Sequence, residues 1–145
     1  MSESFRQRRQ QSARAIAELI EQLSRSGSTS SLAPKANQAQ WTALRYLAHA
    51  NESACQIGAF AKFHMTTPSS ASQTISSLVS RGMVTKRAAA DGRRWTLSLT
   101  AKGRRMLEHD PILSLTERIL GLPDAKLFEL AEILQLLLQS SKDKS

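Results

Sequence analysis

The sequence is poor in cysteine, in long apolar runs and, over one stretch, in acidic residues. Its 145 residues include one cysteine, Cys55, which rules out an internal disulfide framework. No apolar run is long enough to cross a bilayer, because charges or serines break the longest clusters. Met1 to Gln11 is polar and arginine-rich and lacks the apolar stretch of a secretory signal. A soluble cytoplasmic protein with no membrane contact is therefore expected. His49, His64 and His109 are scattered over three predicted helices without ligand spacing, so neither a metal site nor a cofactor is expected. The chain has no Ser/His/Asp arrangement, no CxxC pair and no glycine-rich phosphate loop, and nothing supports an enzyme.

The sequence does have a concentrated positive charge. The net charge is +8, and residues 65–105 hold most of the excess. In that stretch Arg81, Lys86, Arg87, Arg93, Arg94, Lys102, Arg104 and Arg105 face Asp91 as the only acid. Such a segment is the footprint of a polyanion-binding face, or else a solvated basic surface that keeps the protein soluble. Hydrophobic residues, at 41%, are enough for a buried core. The length fits one compact domain or one domain with helical extensions.

Periodicity places the elements. Ala13, Ile16, Ala17, Leu19, Ile20 and Leu23 recur at helical spacing within 4–25. Ser26 to Ser31 reads as a flexible break. A second helix opens at Asn37 or Gln38, carries Trp41, Leu44, Leu47 and Ala48 inward, and ends at Asn51 and Glu52. Ile57 to Phe63 is a short third helix with Ile57, Phe60, Ala61 and Phe63 apolar. Thr66-Thr67-Pro68 starts a fourth, with a threonine cap and proline in the first turn. Ala71, Ile75, Leu78 and Val79 are expected to face inward, and Gly82 ends the helix. Met83 to Arg87 and Trp95 to Leu99 read as strands joined by an Asp91-Gly92 turn. Thr100 caps a fifth helix with a kink at Pro111. Gly121 to Asp124 separates it from a sixth that ends near Gln139, followed by a frayed tail from Ser140 to Ser145.

Two short helices followed directly by a basic hairpin make a winged helix-turn-helix. The expected fold is mainly α with a small β-hairpin. A helix fits the major groove of B-DNA, and a cationic ribbon can follow the backbone or enter the minor groove. The wing candidates are Lys86, Arg87, Asp91, Arg93 and Arg94. The recognition-helix candidates are Thr66, Thr67, Ser69, Ser70, Ser72, Gln73 and Thr74. No Lys or Arg lies between Lys62 and Arg81, so hydroxyls would meet phosphates and Gln73 would read adenine, or else the serines are capping groups only.

These residues carry a resemblance. Residues 38–111 resemble the MarR family of bacterial transcriptional regulators. Gln40 to Ala48 is similar to the family's second helix. Ala71 to Leu78 with Arg81-Gly82-Met83-Val84 is similar to its recognition helix and the turn into the wing. Asp91-Gly92-Arg93-Arg94 and Leu99-Thr100-Ala101-Lys102-Gly103 match the wing pattern D-x-R followed by L-T-x-x-G, the most specific part. The resemblance implies a homodimer on pseudo-palindromic double-stranded DNA, with a two-fold region built from the first helix and the last two. It also implies an Asp91–Arg93 wing pair. The redox-sensing members carry their cysteine in the first helix, where this chain has none, so Cys55 reads as a packed residue.

The last helix supports dimerisation on its own evidence. Leu127, Phe128, Leu130, Ala131, Ile133, Leu134, Leu136, Leu137 and Leu138 cover more than one stripe, which a surface helix does not need. A fully buried helix in a monomer is the competing reading. The expected interface includes Ile16, Leu19, Leu23, Leu127, Leu130, Leu134 and Leu137. The domains expected are 1–37 (first dimerisation helix and linker), 38–103 (winged helix-turn-helix) and 104–145 (C-terminal dimerisation helices).

The expected function is a sequence-specific transcriptional regulator, a homodimeric repressor in the cytoplasm and on the bacterial nucleoid when DNA-bound. Its small-molecule effector would lie in the crevice between dimerisation helices and winged lobe. The alternatives are a sequence-neutral architectural DNA binder and a winged-helix module that docks a protein through the last helix. The basic wing argues against the second of these.

Overall fold

The computed structural model describes residues 2–26 and 35–143. The expected break at Ser26 to Ser31 lies outside these residues from Gly27 onward, as do the last two residues of the tail. The elements are α1 (Glu3–Arg25), α2 (Gln38–His49), α3 (Ile57–Phe63), α4 (Pro68–Ser80), β1 (Val84–Ala88), β2 (Trp95–Leu99), α5 (Ala101–Leu107), α6 (Ile112–Leu120) and α7 (Asp124–Lys142). A single 3-10 turn at Glu52–Ala54 precedes α3. The strands form an antiparallel hairpin in the register Val84↔Leu99, Lys86↔Leu97 and Ala88↔Trp95. The fold is mainly helical with one small hairpin, as expected.

The continuous fifth helix expected through Pro111 is instead two helices. Helix α5 stops at Leu107, and Pro111 becomes the residue that precedes α6. Proline disfavours helical backbone in the residue before it. That residue, Asp110, is buried and drawn onto Arg45, whose Nε and Nη2 donate to its two carboxylate oxygens, both at 2.6 Å. Such a bidentate pair is geometrically specific. The last helix also runs on to Lys142, beyond the expected end at Gln139.

The chain divides into two compact units, one holding the described part of residues 32–110 and the other that of 1–31 and 111–145. The first has a closed core. Trp41, Leu44 and Leu47 of α2, Phe60 of α3, Ile75 and Leu78 of α4, Val84 and Leu97 of the hairpin and Met106 of α5 are all buried. Three side chains depart from the expected stripes: Ala48, Phe63 and Val79 are exposed, and Ala43 is buried in place of Ala48. Phe63 nevertheless keeps a partner, its ring lying 4.9 Å from that of Tyr46. In the other unit no described residue of α1, α6 or α7 is buried. Leu19, Leu23, Phe128, Leu134, Leu136 and Leu137 all stand exposed in the single chain.

Candidate nucleic-acid interface

Helices α3 and α4 are joined by a turn in which Met65 takes a φ of 51°. The turn delivers Thr67 to the cap of α4, where its hydroxyl accepts from the amide of Ser70 at 3.1 Å and also pairs with the Ser70 hydroxyl. Thr74 donates back to the carbonyl of Ser70 at 3.2 Å. Capping and back-bonding satisfy helix-end groups locally. Thr67, Ser70 and Thr74 are thus occupied within α4. Ser69 and Gln73 are exposed, while Ser72 and Thr66 are half-buried.

The outward face of α4 extends beyond the N-terminal residues that the sequence singles out. Ala71, Ile75 and Leu78 point into the core, and Ser69, Gln73, Ser76 and Ser80 are exposed. The exposed four recur at helical spacing and line one face. Ser76 and Ser80 were missed because their composition gives no charge signal. The three inward residues alone would have located them by elimination.

The wing is built around the Asp91 carboxylate. Its Oδ1 accepts from the main-chain amides of Arg93 and Arg94 at 3.0 and 3.3 Å, and its Oδ2 accepts from Arg94 Nε at 3.3 Å. These bonds hold the Asp91 carboxyl below its ordinary range, the Arg93 amide contributing most. Gly92 sits at φ +67°, the left-handed conformation that favours glycine. The side chain that pairs with Asp91 is therefore that of Arg94, not Arg93 as the resemblance implies. Arg93 contributes only its main chain, and no hydrogen bond or ion pair among the described residues engages its guanidinium.

Strand alternation sends Lys86 and Arg87 to opposite faces of the hairpin. Lys86 lies over the Trp95 ring, 4.9 Å from its centroid, a cation–π arrangement. Arg87 is exposed. The hairpin is anchored by β2, whose Leu97 amide donates to the carbonyl of Cys55 at 2.8 Å. Burial raises the Cys55 thiol above its usual range, and Glu52 raises it further. Behind the hairpin a methyl group at position 103 would run into the carbonyl oxygen of Met83, so the glycine of the L-T-x-x-G pattern lets α5 close onto the strand.

Two of the eight cations in the basic segment serve the fold. Arg81 donates through Nη2 to the carbonyl of Lys35 at 2.6 Å, and Lys102 donates to the carbonyl of Arg81 at 2.7 Å. What remains is a lobe with a neutral, hydroxyl-rich helix face, a hairpin carrying four cations, and the exposed Arg104 and Arg105 on α5. Among the described residues no cluster of His, Cys, Asp and Glu could hold a metal ion, and no helix is long and apolar enough to cross a membrane.

The MarR family profile matches residues 37–94. No curated protein matches the chain in sequence. Solved structures that share its fold include a MarR family protein from Bacillus stearothermophilus, 18% identical, covering 98% of this chain and 99% of that one with a TM-score of 0.66. The PcaV transcriptional regulator of Streptomyces coelicolor, in complex with its natural ligand, is 17% identical over 87% of this chain and 91% of its own, with a TM-score of 0.71. MepR of S. aureus in a DNA complex is 19% identical over 96% of each chain, with a TM-score of 0.60. The lobe at residues 35–110 has the winged-helix fold of these structures.

Proposed function

We propose that the protein is a sequence-specific DNA-binding transcriptional regulator, a homodimeric repressor open to control by a small molecule. The observation that supports this is the pairing, in one lobe, of an exposed Ser69–Gln73–Ser76 helix face with a hairpin whose Arg93 and Arg87 guanidinium groups meet no partner among the described residues. The helix would read the major groove, and the hairpin would hold phosphates or enter the minor groove. MepR, which shares the fold, has been solved on DNA, in line with this use.

The dimer rests on the unburied apolar faces of α1 and α7. Ile16, Leu19 and Leu23 on α1 and Leu127, Leu130, Leu134 and Leu137 on α7 would form a two-fold interface. Two recognition helices would then face successive major grooves. The ligand bound to PcaV supports a small-molecule effector, whose chemistry this chain does not specify.

Selection of duplexes from a genomic or random pool by the full chain tests the proposal. An enriched inverted repeat bound by two chains is expected. Uniform retention of all duplexes would instead favour a sequence-neutral architectural binder, which the absence of Lys and Arg from α4 keeps as the second reading. Light scattering of Leu134→Asp with Leu137→Asp should give a monomer where the parent chain gives a dimer. A monomeric parent chain would remove the two-fold argument.

A further inference from the structure

Among the described residues, two polar side chains of the lobe are buried: Asp110, which pairs with Arg45, and Gln40, which sits where the start of α2 meets the end of α4. We infer that Gln40, acting through Ser77 and Arg81, fixes the rotation of α4 about its own axis and so decides which side chains meet the base edges. The inference rests on the reading of α4 as the DNA-reading helix.

Gln40 is only 7% exposed. Its Oε1 accepts from the amide of Asn37 at 3.0 Å and from Arg81 Nη1 at 3.4 Å, and its Nε2 donates to the Ser77 hydroxyl at 2.8 Å. The flipped amide would turn its NH2 group toward two donors, so the surroundings admit one orientation. Arg81 spans outward to the carbonyl of Lys35, and the main chain beyond α4 is tied by Lys102 to Arg81 and by Thr100 to Gly82.

The apolar contacts of α4 come from Ala71, Ile75 and Leu78, a narrow stripe in which one residue is a single methyl. Apolar burial is non-directional and by itself tolerates a roll of the helix. A hydrogen bond does not, because it weakens steeply when misaligned. Ser77 lies one position after Ser76, about 100° further round the helix, so its bond to Gln40 sets where the outward face points. A roll of about 20° would carry the tip of Gln73 roughly 2 Å sideways, given a helix radius of about 5–6 Å with side chains. That is enough to lose a bidentate contact to a base. Gln40 and Ser77 are positioning residues that touch no DNA themselves.

Three variants of the full chain test this: Gln40→Met, Ser77→Ala and Gln40→Glu. The first is of similar length and makes none of the bonds. The second removes only the α4 partner and leaves the α2 capping box intact. The third keeps the network, because its carboxylate can accept from Asn37, Arg81 and the Ser77 hydroxyl. For each, the ratio of Kd on random duplex to Kd on the selected site is measured, with the salt slope and the amide exchange of α4 in the free protein.

Gln40→Met and Ser77→Ala are expected to lower the ratio about tenfold, with random-duplex affinity and salt slope unchanged and faster exchange from Ser76 to Gly82. Gln40→Glu should stay within about twofold of the parent chain. Equal loss on both duplexes would mark a purely structural role and overturn the inference, as would an unchanged ratio in Ser77→Ala. Should the parent chain retain no duplex, the DNA reading itself fails. The exchange data then decide alone: unaltered exchange in both Gln40→Met and Ser77→Ala refutes a hold on α4, and faster exchange supports it.

Discussion

The hairpin carries Lys86, Arg87, Arg93 and Arg94 within nine residues, whereas the thirteen residues of α4 include neither Lys nor Arg. Both belong to one lobe, yet they can contribute to DNA binding only in different ways. Cations release counterions from any duplex and carry little sequence information, whereas an amide and a set of hydroxyls read edges and add little affinity. On DNA, as proposed, the lobe would separate holding from reading. The separation extends to rigidity, since α4 is tied at its C-terminal end to α2 and α5, while the wing tip is ordered by one carboxylate.

The largest expected effect tests that separation on the holding side. Arg93→Ala with Arg94→Ala should weaken binding to every duplex alike and reduce the slope of log K against log salt by about two. Titrations at several salt concentrations on selected and random DNA measure both quantities. A loss confined to the selected site would merge the two roles. Next, Gln73→Ala should cost about 1–3 kcal/mol of discrimination at one base pair and leave the salt slope unchanged, as read from a panel of single-substitution sites. Thr67→Ala removes the cap of α4 and should destabilise the lobe by about 1 kcal/mol, visible as an earlier urea midpoint. The smallest effect is a pH dependence of the wing tip. The Asp91 carboxyl is held below its ordinary range. Its ordering effect is therefore complete above that ordinary range and fades as pH falls through the lowered value. The amide resonances of Arg93 and Arg94 should move together in that acid window, and Asp91→Asn should abolish the shared transition.

The elements of the lobe were largely legible because local chemistry marks them. Thr67 before Pro68, Gly92 after Asp91 and the strict alternation from Trp95 to Leu99 each have one economical structural answer. Long-range commitments of polar side chains were not legible. Arg81 and Lys102 look like free cations in sequence, and only the fold shows them bonded to carbonyls of distant segments. The same applies to Asp110, which meets Arg45 across 65 positions and helps turn an expected kink into a break. Val79 and Phe63 show the limit of periodicity, because an apolar residue at the margin of a stripe can stay exposed, Phe63 even while its ring meets Tyr46 of α2. The site was legible as a location and as charge, less so as geometry. The partner of Asp91 depended on bond directions that spacing does not encode, whereas the outward Ser76 and Ser80 were within reach of helical spacing but carry no charge signal.

The contact between Lys86 and Trp95 has a practical consequence. The chain has two tryptophans: Trp41 is shielded at 5% exposure, and Trp95 stands in the wing at 49%. An ammonium group over an indole perturbs its emission, and a phosphate that draws Lys86 aside would lift the perturbation. If the wing engages DNA as proposed, Trp95 would report it optically, with Trp41 as the internal standard. A quencher such as acrylamide should reach Trp95 in the free chain and lose access once the hairpin is seated in a groove.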